Sequence, residues 1–117
     1  MAGVPLLPAP FALAIPMASD VQDNTRSHRF ELEIDDQVAK SWYRLQGNVI
    51  TFTHTEVPEA LSGKGVGSRL AKGALDAARA AGHKVVALCP FIASYIKRHR
   101  EYQDLLVQPD DETSTPR

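Results

Sequence analysis

The stretch Ala60–Gly73, ALSGKGVGSRLAKG, sets Gly63, Gly65 and Gly67 within five positions, immediately before a run of helical character. The whole chain has only seven glycines in 117 residues, and each one inside a helix costs about 1 kcal/mol relative to alanine. Such clustering calls for a backbone reason. A strand, a glycine-rich loop and a helix start together make an anion site. The first amides of a helix lack carbonyl partners, and its dipole favours negative charge there. Glycines let successive amides turn inward and admit a phosphate where a Cβ would stand. Lys64 and Ser68 add a charge and a hydroxyl. The pattern is G-x-G-x-G, which is neither of two familiar phosphate motifs. A P-loop needs Ser or Thr after its lysine, and Lys64 is followed by Gly65; a dinucleotide fingerprint would need glycine where Ser68 stands. Alone, the pattern fits a phosphate cradle or a plain turn equally.

Around this loop the chain reads as one domain. HRFELEID, residues 28–35, alternates Phe30, Leu32 and Ile34 with charged residues, the period of a half-buried strand. Asp35-Asp36 supplies a turn, VAKSWYRLQ (38–46) a second strand, Gly47-Asn48 a hairpin turn, and VITFTH (49–54) a third strand. Beyond the glycines, Val66, Leu70, Ala74 and Ala77 or Ala78 recur at helical spacing up to a stop at Gly82. KVVALC (84–89) suits a buried strand, and FIASYIKRHREYQDLL (91–106) a second helix. The fold class is α+β: an antiparallel β-meander followed by α-β-α on a mixed sheet.

Residues 1–27 read as a Pro/Ala-rich tail and linker, 28–106 as the domain, and 107–117 as a polar, disordered tail. The apolar start is interrupted by Pro5, Pro8, Pro10 and Pro16 and carries no Lys or Arg before Arg26, so neither a membrane span nor an ordinary secretion signal is expected. A cytoplasmic location follows, supported by a lone cysteine, Cys89, which fits a reducing compartment. Thirteen basic against fourteen acidic residues give a net charge of −1, which points to no nucleic-acid partner. Four scattered histidines and no cysteine pair point to no metal site. Lys97-Arg98-His99-Arg100 is the one basic cluster, either a solvated helix end or a phosphate contact.

Three motifs in order carry a resemblance: His54–Pro58 (HTEVP), Ser62–Gly67 (SGKGVG) and Cys89-Pro90-Phe91 (CPF). Over about residues 28–106 the chain resembles the short single-domain branch of the GNAT acetyltransferase superfamily. That superfamily's pyrophosphate loop reads [Q/R]-x-x-G-x-[G/A], and Ser62 departs from it at the first position. The resemblance implies a minimal GNAT fold with the sheet splayed where acetyl-CoA binds as co-substrate. Its pantetheine arm would lie along Thr55, Glu56 and Val57, and its pyrophosphate on Gly63, Lys64, Gly65, Val66, Gly67 and Ser68. Pro90 would stand beside the thioester, and Arg98, with Lys97, would reach the 3′-phosphate.

The resemblance also suggests catalytic candidates, each with a structural alternative. Glu56 is a general base or an exposed strand-end carboxylate; His54, on the same sheet face, is a second base or a structural histidine. Cys89, before a helix start that would favour its thiolate, either takes the acetyl group or lines the pocket. Tyr95 protonates the departing CoA thiolate or packs in the core. Larger GNAT domains have a strand and two helices before the meander and two strands after the last helix, which this chain lacks. An open acceptor site suits a peptide or protein amine. The competing readings are a non-catalytic CoA- or acyl-CoA-binding module and a structural domain with a glycine turn.

Overall fold

The computed structural model describes residues 20–107. Five strands form one sheet in the order β1-β2-β3-β4-β5: β1 is Gln22–Asn24, β2 Arg29–Ile34, β3 Gln37–Gln46, β4 Val49–Glu56 and β5 Lys84–Ala87. The first four run antiparallel, and β5 lies parallel to β4. Helix α1 (Val66–Ala80) makes the crossover that parallel neighbours require, and α2 (Pro90–Arg98) follows β5. The expected meander followed by α-β-α is the observed order.

Alternation decides the layers. Phe30 and Leu32 of β2, Ala39, Ser41 and Tyr43 of β3, Ile50 and Phe52 of β4 and Val85 of β5 are all buried. Against that face α1 packs Val66, Leu70, Ala74 and Ala78, and α2 packs Ile92, Tyr95 and Ile96. The small residues Ala71, Gly73 and Ala74 let α1 lie close to the sheet. Gly82, at φ +78, ends the helix as expected, and the His83 amide behind it donates to the Ala78 carbonyl at 2.9 Å. Both helices lie on one face; among the described residues no helix covers the other.

Three details correct the expectations. The stretch read as a linker carries β1, whose pairing runs Gln22 to Glu31, Asp23 to Phe30 and Asn24 to Arg29. Tyr43 holds it by donating its hydroxyl to Asp23 at 2.6 Å. The second helix does not run to residue 106 but stops at His99, and Arg100–Leu105 forms a 3-10 helix. The cause is local: the Tyr95 carbonyl accepts both the His99 amide (3.0 Å) and its Nδ1 (2.8 Å), while the imidazole stacks on the Tyr95 ring at 3.8 Å. The chain then turns to seat Tyr102 and Leu105 in the core. Finally, β4 runs on to Glu56, and β5 ends at Ala87, short of Cys89.

Candidate functional site

Strands β4 and β5 part company at one point. Their parallel pairing ends at Phe52 and Ala87, and the amides of Leu88 (3.0 Å) and Cys89 (2.9 Å) both turn back to the Phe52 carbonyl. Beyond Phe52, β4 continues for four more residues with no strand beside it on that edge. Main-chain groups from Thr53 to Glu56 therefore border a gap, the splay that the family resemblance implies.

The glycine loop opens at the same end of the sheet. After β4 comes a 3-10 turn at Glu59–Leu61, then Gly63 at φ +80 and Gly65 at φ +73, the latter capping α1 with no side-chain hydrogen bond. Space within 4 Å is empty where a Cβ would project at either position. Their role is backbone conformation. Gly67 differs, because an added Cβ would lie 2.8 Å from Cζ of Phe91 and 3.4 Å from Cγ2 of Val57. Here the glycine permits the first turns of α1 and α2 to meet. Together these residues line a groove of about 260 Å³ formed by Val57, Ser62, Gly63, Gly65, Val66, Gly67, Ser68 and Phe91, floored by Leu61. Lys64 lies exposed between two of the lining glycines but does not line the groove. The uncapped amides of α1, the open space over two positive-φ glycines and the neighbouring lysine fit a phosphate group.

A bulge sorts the remaining candidates. Trp42 pairs with His54 while Tyr43 pairs with Phe52, so Thr53 is an extra residue with no partner across the ladder. Its hydroxyl donates to the Trp42 carbonyl at 3.4 Å. The insertion reverses the alternation of β4: Ile50 and Phe52 face the helices before it, and Thr55, paired with buried Ser41, faces them after it. His54 and Glu56 consequently stand together on the helix-free face. There His54 Nε2 and Glu56 Oε2 are 3.3 Å apart, both side chains more than half exposed, and the imidazole stacks on Trp42 with centroids 5.6 Å apart and planes 24° apart. On the other face the Cys89 thiol, 2 % exposed, donates to Thr55 Oγ1 at 3.3 Å, and Thr55 shares a 3.0 Å hydrogen bond with Ser41. Cys89 caps α2 and Pro90 is its first residue, exposed.

The profile of the family described as GCN5-related N-acetyl-transferase matches residues 29–105. The chain belongs to the GCN5-related N-acetyltransferases. It is 28% identical to protein NATD1 of Homo sapiens over 82 residues, covering 68% of this chain and 73% of that protein. The solution NMR structure of a GCN5-like protein from Staphylococcus aureus superposes with a TM-score of 0.60 at 26% identity, over 82% of this chain and 95% of that one.

Two candidates of this family member stand apart from the splay. Tyr95 is buried between the helices, and burial raises its pKa, with the charges of Lys72, Glu101, Asp76 and Arg98 around it. Arg98 ends α2, two turns from Phe91, and donates to Ser94 of its own helix at 2.7 Å. Sequence reading missed Trp42 and Ser41, because each joins the site only through strand register across the bulge. No cluster of three or more metal-binding side chains occurs among the described residues, and no helix there is long and apolar enough to cross a membrane.

Proposed function

We propose that this chain binds acetyl-CoA across the open edge of β4 and the glycine groove, and passes the acetyl group to the amine of a peptide or protein. The observation that carries this reading is the separation of β4 from β5 after Phe52 and Ala87, at the end of the sheet where the groove opens. Acetyl-CoA supplies an activated acyl group, a thioester. The chain's residues do the rest. Amides of Val66, Gly67 and Ser68 receive the pyrophosphate, with Lys64 adding charge. Main-chain groups of Thr55 to Val57 align the pantetheine arm. His54, paired with Glu56, accepts the proton of the incoming ammonium, which arrives over the helix-free face; the free amine then attacks the thioester carbonyl, the C–S bond breaks, and CoA leaves as a thiolate that takes a proton from solvent. Burial of the Cys89 thiol and its hydrogen bond to Thr55 support a pocket-wall role and direct transfer. Tyr95, stacked on His99 in the core, receives a packing role.

Calorimetry with CoA and acetyl-CoA, followed by thiol release against a panel of amines and peptides, tests the reading. Gly65→Val forces a β-branched residue to φ +73 and fills the space over the loop. Acetyl-CoA should raise the Tm of the wild type by mass action, and this variant should fold but lose the shift. Equal shifts in both proteins would exclude the loop as the site. CoA binding without thiol release from any amine would favour the non-catalytic module.

A further inference from the structure

We propose that Trp42 is a positioning residue for the transfer reaction, holding the His54 imidazole in the orientation in which it takes a proton. This rests on the reading of His54 as base given above. Five side chains form one row that crosses three strands on the helix-free face. Glu31 and Arg29 are joined at 2.6 Å, the Arg29 guanidinium lies 5.6 Å from the Trp42 ring centre, Trp42 stacks on His54, and His54 meets Glu56. Register makes the row: Arg29 pairs directly with Trp42 in the β2–β3 ladder, and Trp42 with His54 in the β3–β4 ladder. Without the bulge, Thr53 would stand opposite Trp42. An exposed histidine otherwise samples several rotamers. Here the indole limits one ring face and a carboxylate fixes one ring nitrogen. Since an ionised carboxylate only accepts, Nε2 carries the hydrogen toward Glu56 and Nδ1 keeps the lone pair. Arg29, over the indole and anchored by Glu31, in turn restrains Trp42.

Trp42 is the single tryptophan of the chain, so its emission reports on this stack without a label. A protonated imidazole in contact with indole quenches its fluorescence. The charged groups facing the pair are Arg29 and Glu31 from β2, Lys40 from β3 and Glu56 from β4. At one and the same pH the full-length wild type should emit less than His54→Gln, in which the stacked imidazole is gone. In the acetyl-transfer assay, Trp42→Ala should lower kcat about tenfold, a fraction of what a general base supplies, with acetyl-CoA affinity unchanged. Trp42→Phe should restore most of the loss. The positioning role is overturned if emission is insensitive to His54→Gln, or if Trp42→Ala retains wild-type kcat. A wild type that shows the quench but transfers acetyl to no amine would overturn the enzymatic reading and, with it, the role of Trp42 in a reaction, leaving the stack as structure.

Discussion

Gly67 and Gly63 are glycines for opposite reasons, and substitution separates them. A methyl group on Gly67 meets the far edge of the Phe91 ring at 2.8 Å, and a half-buried ring can move only partway. Gly67→Ala should therefore cost about 1 kcal/mol, overpacking outweighing the gain in helix propensity. Phe91→Leu removes the obstacle, so the same change in that background should be neutral or stabilising by urea denaturation. Gly63→Ala meets nothing within 4 Å but must hold φ +80. It should cost about 1 kcal/mol through strain alone, and Phe91→Leu should not rescue it. A double-mutant cycle checks both. At this scale the sequence was informative: three glycines before a helix announced a backbone requirement at Gly63 and Gly65. The requirement at Gly67 was hidden, because it comes from a side chain 24 residues away in the chain.

The 3-10 helix at Arg100–Leu105 is fastened to α1 as well as to α2, whose Ile96 carbonyl accepts from Gln103 Nε2 at 3.4 Å. Tyr102 donates its hydroxyl to Asp76 at 2.6 Å, and Arg79 takes both carboxylate oxygens of Asp104 at 2.9 and 3.0 Å while lying over the Tyr102 ring. Burial first, and the hydrogen bond to Asp76 second, push the Tyr102 hydroxyl up to about 12. Tyr102→Phe should cost about 1 kcal/mol, below the usual value for a bond to a charged partner because Asp76 is partly exposed. Amide exchange should rise selectively across residues 100–105. The helical pattern of 91–106 concealed this break, since Tyr95, Tyr102 and Leu105 keep an apolar face whether or not the helix continues. What ends it, His99 closing on the Tyr95 carbonyl, is a side-chain geometry that periodicity does not register. The β1 strand was missed for a different reason: QDN is short and polar, and pairing with β2, not alternation, makes it a strand.

A plateau of stability with two edges is expected of the whole molecule. Hydrogen bonds from Asn24 and then Arg29 lower the pKa of Glu31 below its ordinary 4.5, and Arg79 lowers that of Asp104 below 3.8. Groups with depressed pKa values contribute stability above their unfolded values, and that contribution disappears as pH falls through the folded ones. Tyr43 and Tyr102 are both raised from 10.0, by burial and by Asp23 and Asp76. Their contribution is complete below pH 10 and fades above it, as the unfolded chain loses its phenolic protons first. Urea midpoints should therefore be flat between about pH 5 and pH 9 and fall on either side. Tyr43→Phe and Tyr102→Phe should each soften the alkaline fall. The meander and the mixed sheet were legible from strand and helix periods and the splay from the family resemblance, whereas the division of site residues between the two faces was not. That division depends on Thr53, which acts on β4 as a frameshift acts on a reading frame. Deleting it would leave composition almost unchanged, yet it would turn His54 and Glu56 toward the core and Thr55 toward solvent. Substitutions can therefore tune this site one side chain at a time, but only an insertion or deletion can exchange its two faces.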